Sequence, residues 1–128
     1  MKNLLTGIAH IGIPTNNLDT TIKFYSELGF ETVYETVNKD ANEKVAFFKL
    51  GNLMIETYEN KCAKMETGSI DHIAIDVNNI EETYDYINSK ELNTTNDKIN
   101  FLPFWDNGVR FFTIEGPNKE KIEFSQIL

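Results

Sequence analysis

The chain has 128 residues, 41% of them hydrophobic and 12% aromatic, a composition typical of a globular protein that buries a core without disulfide or metal crosslinks. Twelve basic residues stand against twenty acidic ones, for a net charge of −8, which argues against nucleic acid or an anionic membrane as a partner. The single cysteine, Cys62, cannot form an intramolecular disulfide, as is typical of a protein in the reducing cytoplasm.

The N-terminal stretch predicts a first strand rather than a signal peptide. It has one lysine, and its short apolar run is broken by His10 and Pro14. The sequence nowhere reaches the run of about 18 apolar residues that a membrane-spanning helix requires. We therefore expect a cytoplasmic protein with a single domain over residues 1–128.

The sequence contains an internal repeat. The segment His10–Tyr25 matches the segment His72–Ile87, including the histidine, two isoleucines and an Asn-Asn pair. Each copy opens with the apolar–polar alternation of a strand, continues with the asparagines that can cap a helix, and then shows apolar residues at helical spacing. The repeat therefore predicts two modules of the same fold.

Three further strand patterns follow each predicted helix, with a tight hairpin turn at Gly51-Asn52 in the first copy. The predicted strands are Phe30–Val37, Val45–Leu50, Leu53–Tyr58, Lys98–Leu102, Arg110–Glu115 and Lys121–Ser125. We therefore predict an α+β fold of two tandem β-α-β-β-β modules, spanning residues 7–58 and 70–128 and joined by a linker over 59–69.

Both histidines of the chain occupy equivalent positions in the repeat. His10 and His72 alternate with the isoleucines of their strands, so they point to the opposite face. Glu56 and Glu123 likewise alternate with apolar residues in the last strand of each module. If the isoleucine faces pack under the helices, all four of these side chains lie on the other surface.

Two imidazoles and two carboxylates are a suitable donor set for a divalent transition metal. The two carboxylates cancel the charge of a 2+ ion, which makes such a site tolerable in a cavity. The alternative is a structural role. A histidine or glutamate on a strand is usually hydrogen-bonded or faces solvent, and duplication would preserve such a residue in both copies. Ionisable residues at matching positions of both copies favour metal binding.

The sequence resembles the vicinal oxygen chelate superfamily, also called the glyoxalase/bleomycin-resistance/dioxygenase superfamily, over nearly the whole chain. The motifs that carry the resemblance are HIGIPTNNLDTTIKFYSELGF, LMIETYEN, DHIAIDVNN and GPNKEKIEFSQ. The resemblance implies paired modules that form a curled mixed sheet around a metal cleft, with the helices on the convex face. It also implies that the metal ligands come from the first and last strands of each module. The residues at those positions are His10, Glu56, His72 and Glu123.

Among the members of this superfamily, the ligand set is most similar to that of bacterial glyoxalase I, the lactoylglutathione lyases. The resemblance implies a divalent metal ion (Ni, Co or Zn) and a reaction that converts the hemithioacetal of methylglyoxal and a thiol into a 2-hydroxyacyl thioester through an enediolate. It implies Glu123 as the base and Glu56 as the second catalytic carboxylate.

Four further residues are expected to bind the substrate. Asn60 follows Glu56 at about the spacing of a thiol-binding asparagine in the family. Phe104 and Trp105 lie in the loop LPFWDNG, which is either a lid over the cleft or a small satellite core. Arg110 is the only arginine of the chain. Glutathione-using members typically carry an arginine shortly after the first ligand, where this chain has IPTNN, so the identity of the thiol stays open.

Two other functions remain as alternatives. An enzyme similar to methylmalonyl-CoA epimerase would use the same ion to stabilise an enolate, and a non-catalytic binding or resistance protein would sequester a small molecule. The acidic ligands in both modules favour an enzyme, although fold alone does not determine function. Most relatives are homodimers, so the resemblance also implies a homodimer, with each cleft built from one chain or from two.

Overall fold

The structure, a computed structural model, describes residues 4 and 6–128. It divides into two compact units, the first ending at Ala63 and the second beginning at Lys64. The division falls inside the predicted linker, although the first residue of that linker, Glu59, belongs to the preceding strand. Residues 1–3 and 5 of the predicted N-terminal strand segment lie outside the described residues, and the first strand begins at Ile11.

The first unit contains one helix and one four-stranded sheet. Its elements are β1 (Ile11–Thr15), α1 (Leu18–Glu27), β2 (Glu31–Asn38), β3 (Glu43–Leu50) and β4 (Leu53–Glu59). The strand order is β1-β4-β3-β2, with β1 parallel to β4 and the other neighbours antiparallel. The turn between β3 and β4 is the predicted two-residue hairpin, in which Gly51 has a φ of 57°, a left-handed conformation that favours glycine.

The second unit repeats this arrangement. Its elements are β5 (His72–Asp76), α2 (Ile80–Ser89), β6 (Asn100–Leu102), β7 (Val109–Glu115) and β8 (Lys121–Ile127). The strand order is β5-β8-β7-β6, again with one parallel pair, β5 and β8. The prediction of an α+β fold with paired β-α-β-β-β modules is confirmed, and the strands form two four-stranded mixed sheets, one in each unit.

The two helices begin in the same way, as the Asn-Asn pairs predict. The side chain of Asn17 accepts a hydrogen bond from the amide of Thr20, and the side chain of Asn79 accepts one from the amide of Glu82, each at 3.0 Å. Both asparagines have extended backbones, which is the usual geometry of an N-cap residue. In the first unit, Gly29 follows the end of the helix with a φ of 97°.

A side chain from the last strand of each unit also binds the start of the helix. Oε2 of Glu59 in β4 accepts a hydrogen bond from the amide of Leu18 at 3.4 Å, and Oε1 of Gln126 in β8 accepts one from the amide of Ile80 at 2.8 Å. Because the first amides of a helix have no partner within it, these bonds satisfy them and hold each helix against its own sheet.

Each helix packs on one face of its own sheet and buries aromatic side chains there. In the first unit the ring of Tyr25 stacks on that of Phe48, with 4.7 Å between centroids. In the second unit the ring of Phe112 stacks on that of Phe124 at 5.1 Å. The face of each sheet that the helix does not cover is called the open face below. In the described part of the chain no helix is long and apolar enough to cross a membrane.

Candidate functional site

His10 and Glu56 meet on the open face of the first sheet. His10 directly precedes β1, and Gly12, two residues later, pairs with Glu56 in β4. The neighbours of Glu56 in β4, Ile55 and Thr57, are fully buried on the helix side, so Glu56 points the other way. Nε2 of His10 lies 3.4 Å from Oε1 of Glu56, and the two side chains are 41% and 27% exposed. The predicted first half of the ligand set is therefore assembled within one unit.

Phe47 supports this pair and is a residue that the sequence interpretation missed. It lies in β3 opposite Glu56, and its ring meets that of His10 edge-on, with 5.6 Å between centroids. The ring of Tyr34 in β2 lies 6.1 Å from that of Phe47. The His10 imidazole thus has an aromatic side chain on the same open face, which restricts its orientation.

His72 and Glu123 occupy the corresponding places on the second sheet. His72 opens β5, and Ala74, two residues later, pairs with Glu123 in β8, as Gly12 pairs with Glu56 in the first unit. Ile122 and Phe124, the neighbours of Glu123, are buried on the helix side. His72 and Glu123 therefore lie on one open face with the same offset along the parallel strands as the first pair.

Asp71 contacts His72 and is a second residue that the sequence interpretation missed. Its Oδ2 lies 2.9 Å from Nδ1 of His72, and its Oδ1 accepts a hydrogen bond from Nζ of Lys121 at 3.1 Å. The hydrogen bond from His72, followed by that from Lys121, holds the pKa of the Asp71 carboxyl below its ordinary value. The signal was present in the sequence, because an aspartate directly precedes the second histidine but not the first.

Three expected substrate residues lie on loops. Oδ1 of Asn60, just after β4, accepts a hydrogen bond from the amide of Cys62 at 2.9 Å, which orders the turn that follows the strand. Phe104 and Trp105 lie in the loop between β6 and β7, 56% and 71% exposed. Trp105 has a φ of 64°, an uncommon conformation for an aromatic residue. With both rings in solvent, this loop is not a satellite core.

Arg110 lies on the helix side of the second sheet rather than with the expected substrate site. It pairs in β7 with Gln126 of β8, the residue that binds the start of α2. Its guanidinium donates a hydrogen bond to Oε1 of Glu81 on that helix at 3.1 Å. Arg110, which was expected to bind the substrate, therefore lies on the face of the sheet opposite to Glu123, because side chains alternate along the strand.

The sequence model of the Glyoxalase/Bleomycin resistance protein/Dioxygenase superfamily matches residues 7–124. The chain belongs to this superfamily. A curated protein similar to it is the uncharacterized protein YwbC of Bacillus subtilis (strain 168), 31% identical over 124 residues, which cover 93% of this chain and 96% of YwbC. The superfamily assignment expected from the motifs is thereby confirmed.

Solved structures of superfamily proteins share the fold. A glyoxalase family protein from Enterococcus faecalis superposes with a TM-score of 0.73 at 22% identity, covering 93% of this chain and 96% of that one. FosX, a fosfomycin resistance protein from Listeria monocytogenes solved with Mn(II) and sulfate, superposes with a TM-score of 0.71 at 19% identity, covering 98% of this chain and 95% of FosX. A glyoxalase I mutant from Zea mays superposes with a TM-score of 0.71 at 23% identity, covering 92% of this chain and 43% of the plant chain.

The His10–Glu56 pair has a geometry that fits a metal ion. Two donor atoms, each about 2.1 Å from one ion, lie about 3.0 to 3.4 Å apart in octahedral and tetrahedral coordination. The separation of 3.4 Å between Nε2 and Oε1 falls at the upper end of that range and is long for a hydrogen bond. Among residues 4 and 6–128, no three His, Cys, Asp or Glu side chains form a group that could hold a metal ion. His10 and Glu56 therefore form a pair of donors and not a complete site.

Proposed function

We propose that this protein is a metal-dependent lyase of the glyoxalase I type, which converts the hemithioacetal of methylglyoxal and a thiol into a 2-hydroxyacyl thioester. The observation that carries the proposal is the 3.4 Å approach of Nε2 of His10 to Oε1 of Glu56 on the open face of the first sheet. The same offset of His72 and Glu123 along β5 and β8 supports it.

In this proposal the ligands of a divalent ion (Ni, Co or Zn) would be His10, Glu56, His72 and Glu123, supplied by one chain or by two. Both imidazoles and carboxylates are accepted by these metals. When bound, the ion supplies Lewis-acid chemistry, polarising the neighbouring oxygens of the substrate. The membership of FosX, which was solved with Mn(II), supports a divalent ion in this superfamily.

The reaction requires one carbon-bound proton to move from the thiol-bearing carbon to its neighbour. We assign Glu123 as the base that removes this proton, since a carboxylate within reach of the carbon can act in general base catalysis. Glu56 is the second proton carrier, and it is partly exposed beside His10, so it can change its contacts during the reaction. The two histidines act as ligands and carry no proton to the substrate.

Substrate contacts are proposed for the residues around these carboxylates. Phe47 supplies an apolar surface next to His10, and Asn60 is placed to contact the thiol portion of the substrate. Phe104 and Trp105 form a lid whose exposed rings close over the substrate and exclude water. We further propose a homodimer in the cytoplasm as the functional form.

The test begins with protein purified without chelators. Bound metal is measured by elemental analysis, the protein is stripped and reloaded with Ni, Co or Zn, and thioester formation is followed with methylglyoxal adducts of glutathione and other thiols. We expect activity that depends on the added metal and is lost in Glu123→Gln. Glu31→Gln, on the exposed edge strand β2, is the matched control because it removes one strand carboxylate that is not among the proposed ligands.

Each outcome of this test separates the proposal from its alternatives. Stoichiometric metal binding without turnover of any thiol adduct would refute the lyase and favour an epimerase of a CoA thioester, which would use the same ion to stabilise an enolate. Absence of metal binding would refute the metal centre and favour a non-catalytic binding protein. Loss of activity in Glu31→Gln as well as Glu123→Gln would refute the specific role of Glu123.

A further inference from the structure

Both carboxylate oxygens of Asp71 are engaged on the open face of the second sheet. Oδ2 contacts Nδ1 of His72 at 2.9 Å, and Oδ1 accepts a hydrogen bond from Nζ of Lys121 at 3.1 Å. Lys121 of β8 pairs directly with His72 of β5, so the parallel register brings these three side chains together. Lys121 therefore binds one carboxylate oxygen of Asp71, and the other oxygen binds the imidazole of His72.

This contact determines which imidazole nitrogen carries the hydrogen. An ionised carboxylate only accepts hydrogen bonds, so Nδ1 of His72 must donate to Asp71. In the neutral ring the lone pair then lies on Nε2, the nitrogen left free to bind a metal ion. A carboxylate in this position also fixes the orientation of the ring.

The first unit lacks this arrangement although its sequence is a repeat of the second. Ala9 precedes His10 where Asp71 precedes His72, and Met54 stands two residues before Glu56 where Lys121 stands two residues before Glu123. The ring of His10 is instead flanked by Phe47. The Asp-Lys pair is thus an addition to one copy of the duplicated fold, not a requirement of the fold.

We propose that Asp71 is a positioning residue that holds His72 in the Nδ1–H tautomer for metal binding through Nε2, with Lys121 holding Asp71 in place. This inference rests on the proposed metal site. It predicts that the two histidines differ, because His72 is preset by a carboxylate and His10 is not.

The substitution Asp71→Asn tests the proposal sharply. Lys121 can only donate hydrogen bonds, so it keeps its bond to the oxygen of the new side chain. The NH₂ of that side chain then faces His72. That group can only donate to Nδ1, which forces the hydrogen onto Nε2 and removes the lone pair that a metal needs. Asp71→Ala merely frees the ring, so we expect a smaller effect from alanine than from asparagine.

The first readout uses the metal-free protein. Long-range ¹H–¹⁵N spectra at about pH 8, where an ordinary imidazole is neutral, report the tautomer of each ring, and the chain has only two histidines to assign. We expect His72 as the Nδ1–H form in the parent protein and as the Nε2–H form in Asp71→Asn, with the His10 signals unchanged. Asp76→Asn, which removes the exposed carboxylate at the end of β5, is the matched control.

The second readout is metal affinity, measured by competition with a chromophoric chelator. Loss of an outer carboxylate partner typically lowers metal affinity about 10- to 100-fold, so we expect a loss of that size in Asp71→Asn and none in Asp76→Asn. An unchanged tautomer or an unchanged affinity in Asp71→Asn would overturn the positioning role alone. A parent protein that binds no metal would overturn the proposed function and the ligand role of His72 together.

Discussion

Gln126 accepts a hydrogen bond at 2.8 Å from the amide of Ile80, the first residue of α2. Gln126 lies three residues after Glu123 on the same strand, so this bond joins the strand of a proposed ligand to the helix of its own unit. Replacing it with alanine leaves the helix amide without its side-chain partner. We expect Gln126→Ala to lower the free energy of unfolding in urea by about 1 kcal/mol.

The first unit provides the control for this prediction. Glu59 accepts the bond from the amide of Leu18 there, which shows that a carboxylate can take the same role. Gln126→Glu is therefore expected to retain the stability of the parent protein. Equal stability of the alanine and glutamate variants would show that the bond contributes nothing measurable.

The two N-cap asparagines give a second prediction about stability. Asn17 and Asn79 accept hydrogen bonds from amides in the first turns of their helices. Substitution of either by alanine is expected to lower the free energy of unfolding by about 1 kcal/mol, whereas serine, another good N-cap residue, retains most of it. Far-ultraviolet circular dichroism during urea unfolding measures the stability of the alanine and serine variants. A serine variant as unstable as the alanine variant would contradict the capping role.

Phe47 and Phe112 are expected to respond differently to truncation. Phe112 is fully buried under α2, so Phe112→Ala should lower the free energy of unfolding by about 3 to 5 kcal/mol. Phe47 is half-buried on the open face beside His10, so Phe47→Ala should cost less stability and weaken metal binding instead. Urea unfolding and metal titration of both variants test this, and a Phe47→Ala variant with unchanged metal affinity would remove Phe47 from the site.

Most of the fold was predictable because its signals are local. The Asn-Asn pairs predict the two helix starts, and the alternation in the last strands predicts that Glu56 and Glu123 turn away from the helices, as the burial of Ile55 and Ile122 confirms. The weakest element was the strand over residues 98–102, which begins only at Asn100 because few apolar residues define it.

The residues that were missed depend on tertiary register. Phe47 lies in VAFFKL, where apolar residues on both faces of the strand hide the alternation. Asp71 gains its role only because Lys121 stands opposite His72 in the parallel pairing of β5 and β8. Arg110 was assigned to the substrate site because it is the only arginine of the sequence. The face of β7 on which it lies follows instead from the pairing of β7 with β8.

Arg110 therefore gives a prediction that tests the corrected assignment. Its pair with Glu81 joins side chains that are 33% and 70% exposed, and exposed ion pairs contribute about 0 to 1 kcal/mol. Arg110→Gln should lower the free energy of unfolding within that range and leave the KM for the thiol adduct unchanged. A large rise in KM without loss of stability would return Arg110 to the substrate site.

Trp105 is the only tryptophan of the chain, so intrinsic fluorescence reports on the proposed lid without interference. The residue is 71% exposed. We therefore expect emission at the wavelength of a water-exposed indole and efficient quenching by acrylamide, a neutral quencher suited to an acidic protein. Closure of the loop over a bound product thioester removes the ring from water. Acrylamide quenching should therefore decrease when product is added to the metal-loaded protein. Phe104→Ala removes the neighbouring ring of the lid and should raise the KM for the substrate several-fold. Quenching that is the same with and without product would show that the loop stays open and that Trp105 has no part in substrate binding.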